Sequence, residues 1–502
     1  MNKQYLLILP IFSLVISGCQ KLPREPGLVA TPVAPTSTQP AISTPSPTAL
    51  PTSKPATAIP TPTETPSSGA DGLDDAYYPQ MGNGGYDALH YRLDLSVDVA
   101  NNEISGSSTL NARTSEALSS FNLDLHGLEV SAVTVNAAPA TFSRKNDELT
   151  ITPAVPLEKN MEFTVVVMYS GRPESVADAS FPGETVGWFG DAGIYVVSEA
   201  AGAMSWYPVN NHPLDKASYT FRITAPKQYR VAANGLLKSE VVNGKMKTSV
   251  WEETHPMASY LAILAIGKYR LVTEPGPGGL PIRNYFPPDA GGDITGAFIH
   301  TNDMLAYYSQ VFGPYPFDAY GVVVVPLEFG YPLETQTLSV FAIDMADELT
   351  AAHELAHQWF GNSVSLKSWK DIWLNEGFAT YAEALWVEHT QGKTAGDQYM
   401  QAIYRDAKAR GMAAPTDPSI KNLFDDFVYD RGGCVLYALR LQVGDEIFFK
   451  ILSEYYARYK YANANTADFL AVAEAVSGQD LQSFFDAWLY SDEIPDLPQP
   501  AQ

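Results

Sequence analysis

The sequence predicts an α+β protein: an all-β domain over residues 76–275, then a domain of short strands and long helices over residues 276–495. Three observations carry this. Tyr91-Arg92-Leu93-Asp94-Leu95-Ser96-Val97-Asp98-Val99 alternates with period two, as a half-buried strand does. Similar runs recur up to Tyr260–Ile266, separated by turn signals such as Asn101-Asn102 and Asn234-Gly235. Beyond about residue 276 the pattern changes to short strands (282–286, 320–326) and then helical stretches at 347–361, 375–389 and 431–442.

The elements follow in chain order. Lys3 precedes an apolar run from Tyr5 to Ile16, of signal-peptide length and short for a membrane span. Ile16-Ser17-Gly18-Cys19 then resembles a bacterial lipoprotein signal, with Cys19 lipidated and serving as the new N-terminus. Residues 1–18 are therefore expected to be a lipoprotein signal peptide. The mature protein is expected to be an exported cell-envelope lipoprotein, anchored to a bacterial membrane with its folded part outside the cytoplasm. An ordinary secretory signal with an incidental cysteine is the alternative. Residues 19–75 are rich in Pro, Thr, Ser and Ala, as in Pro45-Ser46-Pro47-Thr48, and are expected to form a disordered, semi-rigid stalk. Further strands are expected at 149–151, 163–168 and 219–224 of the β domain.

Composition narrows the function. The 502-residue chain has 45% hydrophobic residues, enough to build packed cores. Its net charge of −24 argues against nucleic-acid binding, which needs clustered Lys and Arg. Two cysteines exclude a disulfide scaffold and a four-cysteine zinc site. Cys434, within an apolar stretch, is expected to be a buried small hydrophobe.

The chemistry centres on His353-Glu354-Leu355-Ala356-His357. Met345 to Phe360 holds no Pro or Gly and reads as helix, so positions i and i+4 share a face and two imidazoles converge on one cation. Glu354 is placed to reach a metal-bound water. A further histidine at 363 would suit one class of zinc site, but that position is Ser363. Glu376, in Asn375-Glu376-Gly377 nineteen residues after His357, is the candidate third ligand. Two His and one Glu favour a single zinc ion with an open fourth position. His300 and His389 have no partners at ligand spacing and are expected to be surface or packed residues.

His353 to Asn362 reads HELAHQWFGN and Asp371 to Thr380 reads DIWLNEGFAT. Together they resemble the zinc aminopeptidases of the aminopeptidase N and leukotriene hydrolase type, over roughly residues 80–490. The resemblance implies a saddle-like β domain packed on a thermolysin-like catalytic domain. It implies peptide substrates, with Glu354 as general base and His353, His357 and Glu376 as zinc ligands. Val428-Tyr429-Asp430-Arg431-Gly432 fits the family's catalytic tyrosine motif, with Arg for Lys, so Tyr429 would donate to the developing oxyanion. Tyr437 is its rival and lacks the motif.

The family's substrate-binding strand survives here only in part, as Tyr331-Pro332-Leu333-Glu334-Thr335. Glu334 would hold the substrate's α-amine, while Pro332 cannot donate a backbone hydrogen bond. Register on Tyr207-Pro208, Pro213 and Lys216 places Glu199 as a second amine binder; a solvated loop carboxylate is its alternative. The altered strand, and an end at Gln502 where many members continue into a large helical domain, keep a zinc endopeptidase with an open groove as an alternative. A non-catalytic surface binding protein is a further one, and an epoxide hydrolase stands on family analogy alone.

Overall fold

A computed structural model describes residues 65–191, 193–328 and 330–500. The expected signal peptide, Cys19 and most of the expected stalk lie outside the described residues.

Residues 67–75, assigned above to the stalk, belong to the fold instead. Ser67–Ser68 pairs in parallel with the strand Leu118–Asp124. Asp75 is buried and accepts hydrogen bonds from the backbone of Tyr77, Tyr78 and Trp369 and from Ser368 Oγ. Composition misleads here because the segment is held by hydrogen bonds and buries little apolar surface of its own.

The N-terminal part is built on an eight-stranded sheet. Its strands are Tyr86–Asp98 (β1), Glu103–Thr114 (β2), Glu129–Val135 (β3), Ala138–Pro139 (β4), Glu162–Gly171 (β5), Ala217–Pro226 (β6), Leu236–Asn243 (β7) and Met246–Met257 (β8). Their spatial order is β7-β8-β6-β1-β2-β5-β3-β4. All neighbours run antiparallel except β6 and β1. The period-two pattern of β1 points Tyr91, Leu93, Leu95 and Val97 into the core, each at most 2% exposed. A smaller sheet of Leu118–Asp124, Thr141–Lys145 and Glu148–Thr152 with Ser67–Ser68 accompanies it. The run 260–266 is not one strand. A 3₁₀ turn at Ser259–Leu261 precedes a strand at Leu264–Gly267, because the Asn234 side chain bonds both Leu261 O and Ile263 N.

The expected domain boundary at 275 also shifts. Arg270–Pro275 (β9) pairs with Pro281–Phe286 (β10) in the catalytic part's own sheet, which continues to Tyr320–Val325 (β11) and Ser339–Ala342 (β12). β11 carries four consecutive valines, all buried, as a strand covered on both faces requires.

Helices cover and extend this sheet: Thr301–Val311 (α1), Glu348–Ala356 (α2), Trp373–Gln391 (α3), Lys393–Arg410 (α4), Asp426–Val443 (α5), Asp445–Tyr459 (α6), Thr466–Ser477 (α7) and Gln482–Leu489 (α8). Asp347 caps α2 by accepting from Leu349 N and Thr350 N. α2 stops at Ala356, short of the expected Gly361. Its last turn tightens through Gln358 N to Leu355 O, and Gly361 takes φ +128°. Among the described residues no helix is long and apolar enough to cross a membrane.

Candidate active site

α2 and α3 supply the core of the site. His353 and His357 lie one turn apart on α2 and its C-cap, and their Nε2 atoms each lie 3.4 Å from Glu376 Oε2 in the first turn of α3. Two ligands on a tetrahedral zinc, with bonds of about 2.0–2.1 Å, sit about 3.3–3.4 Å apart. The donor set therefore has the spacing that zinc takes. The distal ring nitrogens are occupied elsewhere. His353 Nδ1 donates to Glu383 Oε1 (2.8 Å) and His357 Nδ1 donates to Phe360 O (3.1 Å). Those bonds fix the tautomers and leave each Nε2 free to ligate.

All three ligands are buried. Burial opposes charge on His357, but the Glu376 and Glu334 carboxylates outweigh it and push the imidazole up to about 9. Burial likewise opposes charge on Glu376, and the two histidines outweigh it and hold the carboxyl down at about 2. The cluster concentrates negative charge where a cation would sit. Glu354 is next to the ligands but in a different state: burial pushes it up to about 8, with the histidines opposing. Its Oε2 is buried and has no hydrogen-bond partner. A buried polar atom without a partner costs about 1–3 kcal/mol, which a water or substrate proton would relieve.

A cleft of about 270 Å³ opens over these groups. Glu199, Glu334, Glu383 and Tyr429 line it together with the ligands and Glu354. Tyr429 arrives because α5 crosses α3 at backbone contact. A Cβ on Gly377 would lie 2.7 Å from the Gly432 carbonyl carbon, so only glycine allows the crossing that brings Tyr429 beside Glu376. The Tyr429 ring stacks on His353 at 6.0 Å. Burial and the surrounding carboxylates push its hydroxyl well above the ordinary tyrosine range, so it remains a donor. Tyr437 lies on the same helix but does not line the cleft and accepts from Gln401 Nε2.

Glu334 is held by its backbone. Gln358 Nε2 and Asn362 Nδ2, both in the motif after the histidines, donate to Glu334 O at 3.0 and 2.7 Å. Its side chain accepts from Tyr260 Oη (3.4 Å), and burial raises its carboxyl. Leu333 pairs with Val340 of β12, so the segment joins the sheet edge despite Pro332. Thr335 turns away to donate to Leu338 O and does not line the cleft. Glu199 is 8% exposed, with Oε1 unpartnered, and burial and the carboxylates of Glu334, Glu376, Glu354 and Asp178 raise it well above the ordinary range. The Arg431 fork explains the departure from Lys. It donates to Trp488 O, Met412 O and Ser491 O, tying the C-terminal segment onto α5.

Sequence reasoning missed several contributors. Glu383 stands seven residues after Glu376 on α3, a spacing that was legible as the same helical face. Phe181, which stacks on Tyr331 (5.4 Å) and Phe424 (4.8 Å) at the cleft wall, comes from three loops distant in sequence and left no local signal. Cys434 is fully buried and His389 stacks on Tyr307 at 4.1 Å, in line with their packing roles.

Comparison with known proteins agrees with this geometry. The Peptidase M1 N-terminal domain profile matches residues 87–261 and the Peptidase family M1 domain profile matches residues 297–488. Among solved structures, the M1 zinc metallopeptidase from Deinococcus radiodurans superposes with a TM-score of 0.81 at 31% identity, over 86% of this chain and 99% of that one. Aminopeptidase N of Streptomyces lividans is 30% identical over 329 residues, 59% of this chain and 38% of that protein. Aminopeptidase M1-B of Oryza sativa subsp. japonica is 30% identical over 325 residues, 59% and 37% respectively. The chain thus spans less than half the length of these curated relatives, but essentially all of the solved two-domain one. On that agreement of sequence, fold and donor set, the chain belongs to peptidase family M1 and its centre is a zinc centre.

Proposed function

We propose that the protein is a zinc-dependent aminopeptidase, removing N-terminal residues from peptides. The observation that carries this reading is the pair Glu199 and Glu334. Both are buried, both face the cleft, and one oxygen of Glu199 has no partner. Two carboxylates at one end of a zinc cleft, with no Lys or Arg among the described residues that line it, fit the ammonium of a free peptide N-terminus. A variant of the Deinococcus relative has been crystallised with Tyr-Ser-Ala, a tripeptide substrate of that protein.

His353, His357 and Glu376 would hold the metal. Zinc, when bound, supplies a Lewis acid that polarises the peptide carbonyl and acidifies a water. Glu354 accepts the proton of the attacking water and passes it to the departing amine. Tyr429 donates to the carbonyl oxygen as charge builds there. Glu199 and Glu334 hold the ammonium, so that only the first peptide bond reaches the reacting groups. Burial of all six carboxyl and imidazole groups strengthens each of these contacts relative to water.

The test is turnover of a peptide with a free N-terminus against its acetylated twin. Loss of cleavage on acetylation supports the aminopeptidase. Equal cleavage would favour an endopeptidase, the reading to which Pro332 at the cleft edge lends some support. We further propose export and lipidation at Cys19, supported by the apolar run and the Ile16-Ser17-Gly18-Cys19 sequence. Labelling with a radioactive fatty acid, lost in Cys19→Ser, tests it.

A further inference from the structure

The two ligand histidines are oriented by unlike groups. His357 leans on a neutral backbone carbonyl, whereas His353 leans on the Glu383 carboxylate. That carboxylate has a second partner: Tyr399 Oη, on α4, donates to Glu383 Oε2 at 2.5 Å. Tyr399 is not among the described residues that line the cleft, and its phenol meets the site through this bond to Glu383.

We propose that Tyr399 is a positioning residue of the zinc centre, acting through Glu383 on His353. The proposal rests on the zinc-peptidase reading above. Glu383 is partly exposed, 17%, at the cleft wall. A carboxylate there with one free oxygen would turn that oxygen to water and let go of the imidazole part of the time. The phenol takes Oε2, which leaves Oε1 in place for His353 Nδ1. His353 then presents Nε2 to the ion in one orientation. Partners of this kind around a ligand histidine govern metal affinity by roughly 10- to 100-fold. Tyr399 thus gives α4 a role beyond packing. A hydrogen bond from a phenol withdraws charge from the carboxylate and so lowers the basicity it passes on. The orientation effect and this charge effect have opposite signs, and the proposal is that orientation dominates.

The experiment measures zinc affinity of the full chain, stripped of metal, by competition with a chromogenic chelator, without any peptide. Tyr399→Phe is expected to bind zinc about 3- to 10-fold more weakly and Glu383→Gln about 10- to 100-fold more weakly. The double variant is expected to be no weaker than Glu383→Gln alone, because the phenol acts only through the carboxylate. Tyr399→Gln, which keeps a donor, is expected to recover part of the loss. With zinc saturating, KM for a peptide is expected to be unchanged in Tyr399→Phe. An affinity in Tyr399→Phe within about twofold of the parent or tighter, or losses that multiply in the double variant, would overturn the proposal. So would a loss of melting temperature in the metal-free protein with zinc affinity intact, which is the signature of packing alone. The zinc readout needs no turnover, so it fails or holds separately from the aminopeptidase assignment.

Discussion

At the scale of single residues, the site separates groups that hold from groups that react. Glu354 and Tyr429 belong to the second kind: Glu354 Oε2 has no hydrogen-bond partner among the described residues, and the Tyr429 ring stacks on His353 and lines the cleft. Glu354→Gln is expected to retain zinc, because the ligand set is untouched, while kcat falls by roughly 10²–10⁴. Metal analysis beside turnover checks it, and full activity with zinc in place would remove Glu354 from its role. Tyr429→Phe is expected to lower kcat by about 10²–10³ with little change in KM, since its contact forms as charge develops. Tyr437→Phe, on the same helix but outside the cleft, is expected to stay within about twofold of the parent. A comparable loss in both variants would mean that the phenols act through the packing of α5.

At the scale of elements, the site exists because α3 and α5 cross without side chains between them. Gly377 follows the ligand Glu376, and Gly432 follows the donor Tyr429 by three residues. A methyl at either would meet backbone at 2.9 Å or less, and backbone has nowhere to yield. Gly377→Ala is therefore expected to cost about 1–3 kcal/mol, as overpacking does. It should also separate Glu376 from Tyr429, so kcat should fall more than stability alone explains. Urea unfolding and kinetics on the same sample check this.

The same elements show what was legible in the chain. The zinc helix and the helix bearing Glu376 carried their own periodicity and spacing, so the ligands could be named from local pattern. The strands of the large sheet were visible through alternation, as at Leu93, Leu95 and Val97. The meeting of Glu199 with Glu334 was not visible in this way, because burial that raises both carboxyls arises only when two loops 135 residues apart close on each other. Tyr399 and Phe181 were illegible for the same reason: a lone aromatic says nothing about which carboxylate or ring it will meet. Helices α4, α6 and α7 escaped because their surface faces dilute the apolar repeat, and the stalk boundary escaped because its last residues fold by hydrogen bonding.

At the scale of the whole molecule, the β part and the catalytic part are fastened by buried polar groups as well as by the apolar core. Lys216, beside β6, donates through Nζ to Asn362 O and Ser363 O just past the zinc helix. Asp75 does the complementary work on the approach to α3. Its carboxylate, 1% exposed, takes hydrogen bonds from Ser368 Oγ and Trp369 N on the catalytic side and lies 3.3 Å from His212 Nε2 on the β side. Burial opposes its charge, yet the His212, Trp369, Tyr77 and Ser368 donors outweigh that and hold the carboxyl far below the ordinary aspartate range. A carboxyl lowered in the folded state binds fewer protons there than in the unfolded chain. Its stabilisation is therefore complete above an ordinary aspartate value of about 4, and is lost as pH falls below that toward the folded value. Asp75→Asn replaces an ionised acceptor with a neutral amide that cannot accept all of these bonds. It is expected to cost about 2–3 kcal/mol at pH 7, the scale of charge-assisted hydrogen bonds. The cost should shrink as pH drops below about 4, because the unfolded parent chain then binds a proton at Asp75 that the folded state does not, and the parent's advantage falls. Urea midpoints of both proteins from pH 7 to pH 3 read this directly. A difference that stays constant across that range would mean that Asp75 stabilises by shape and not by charge.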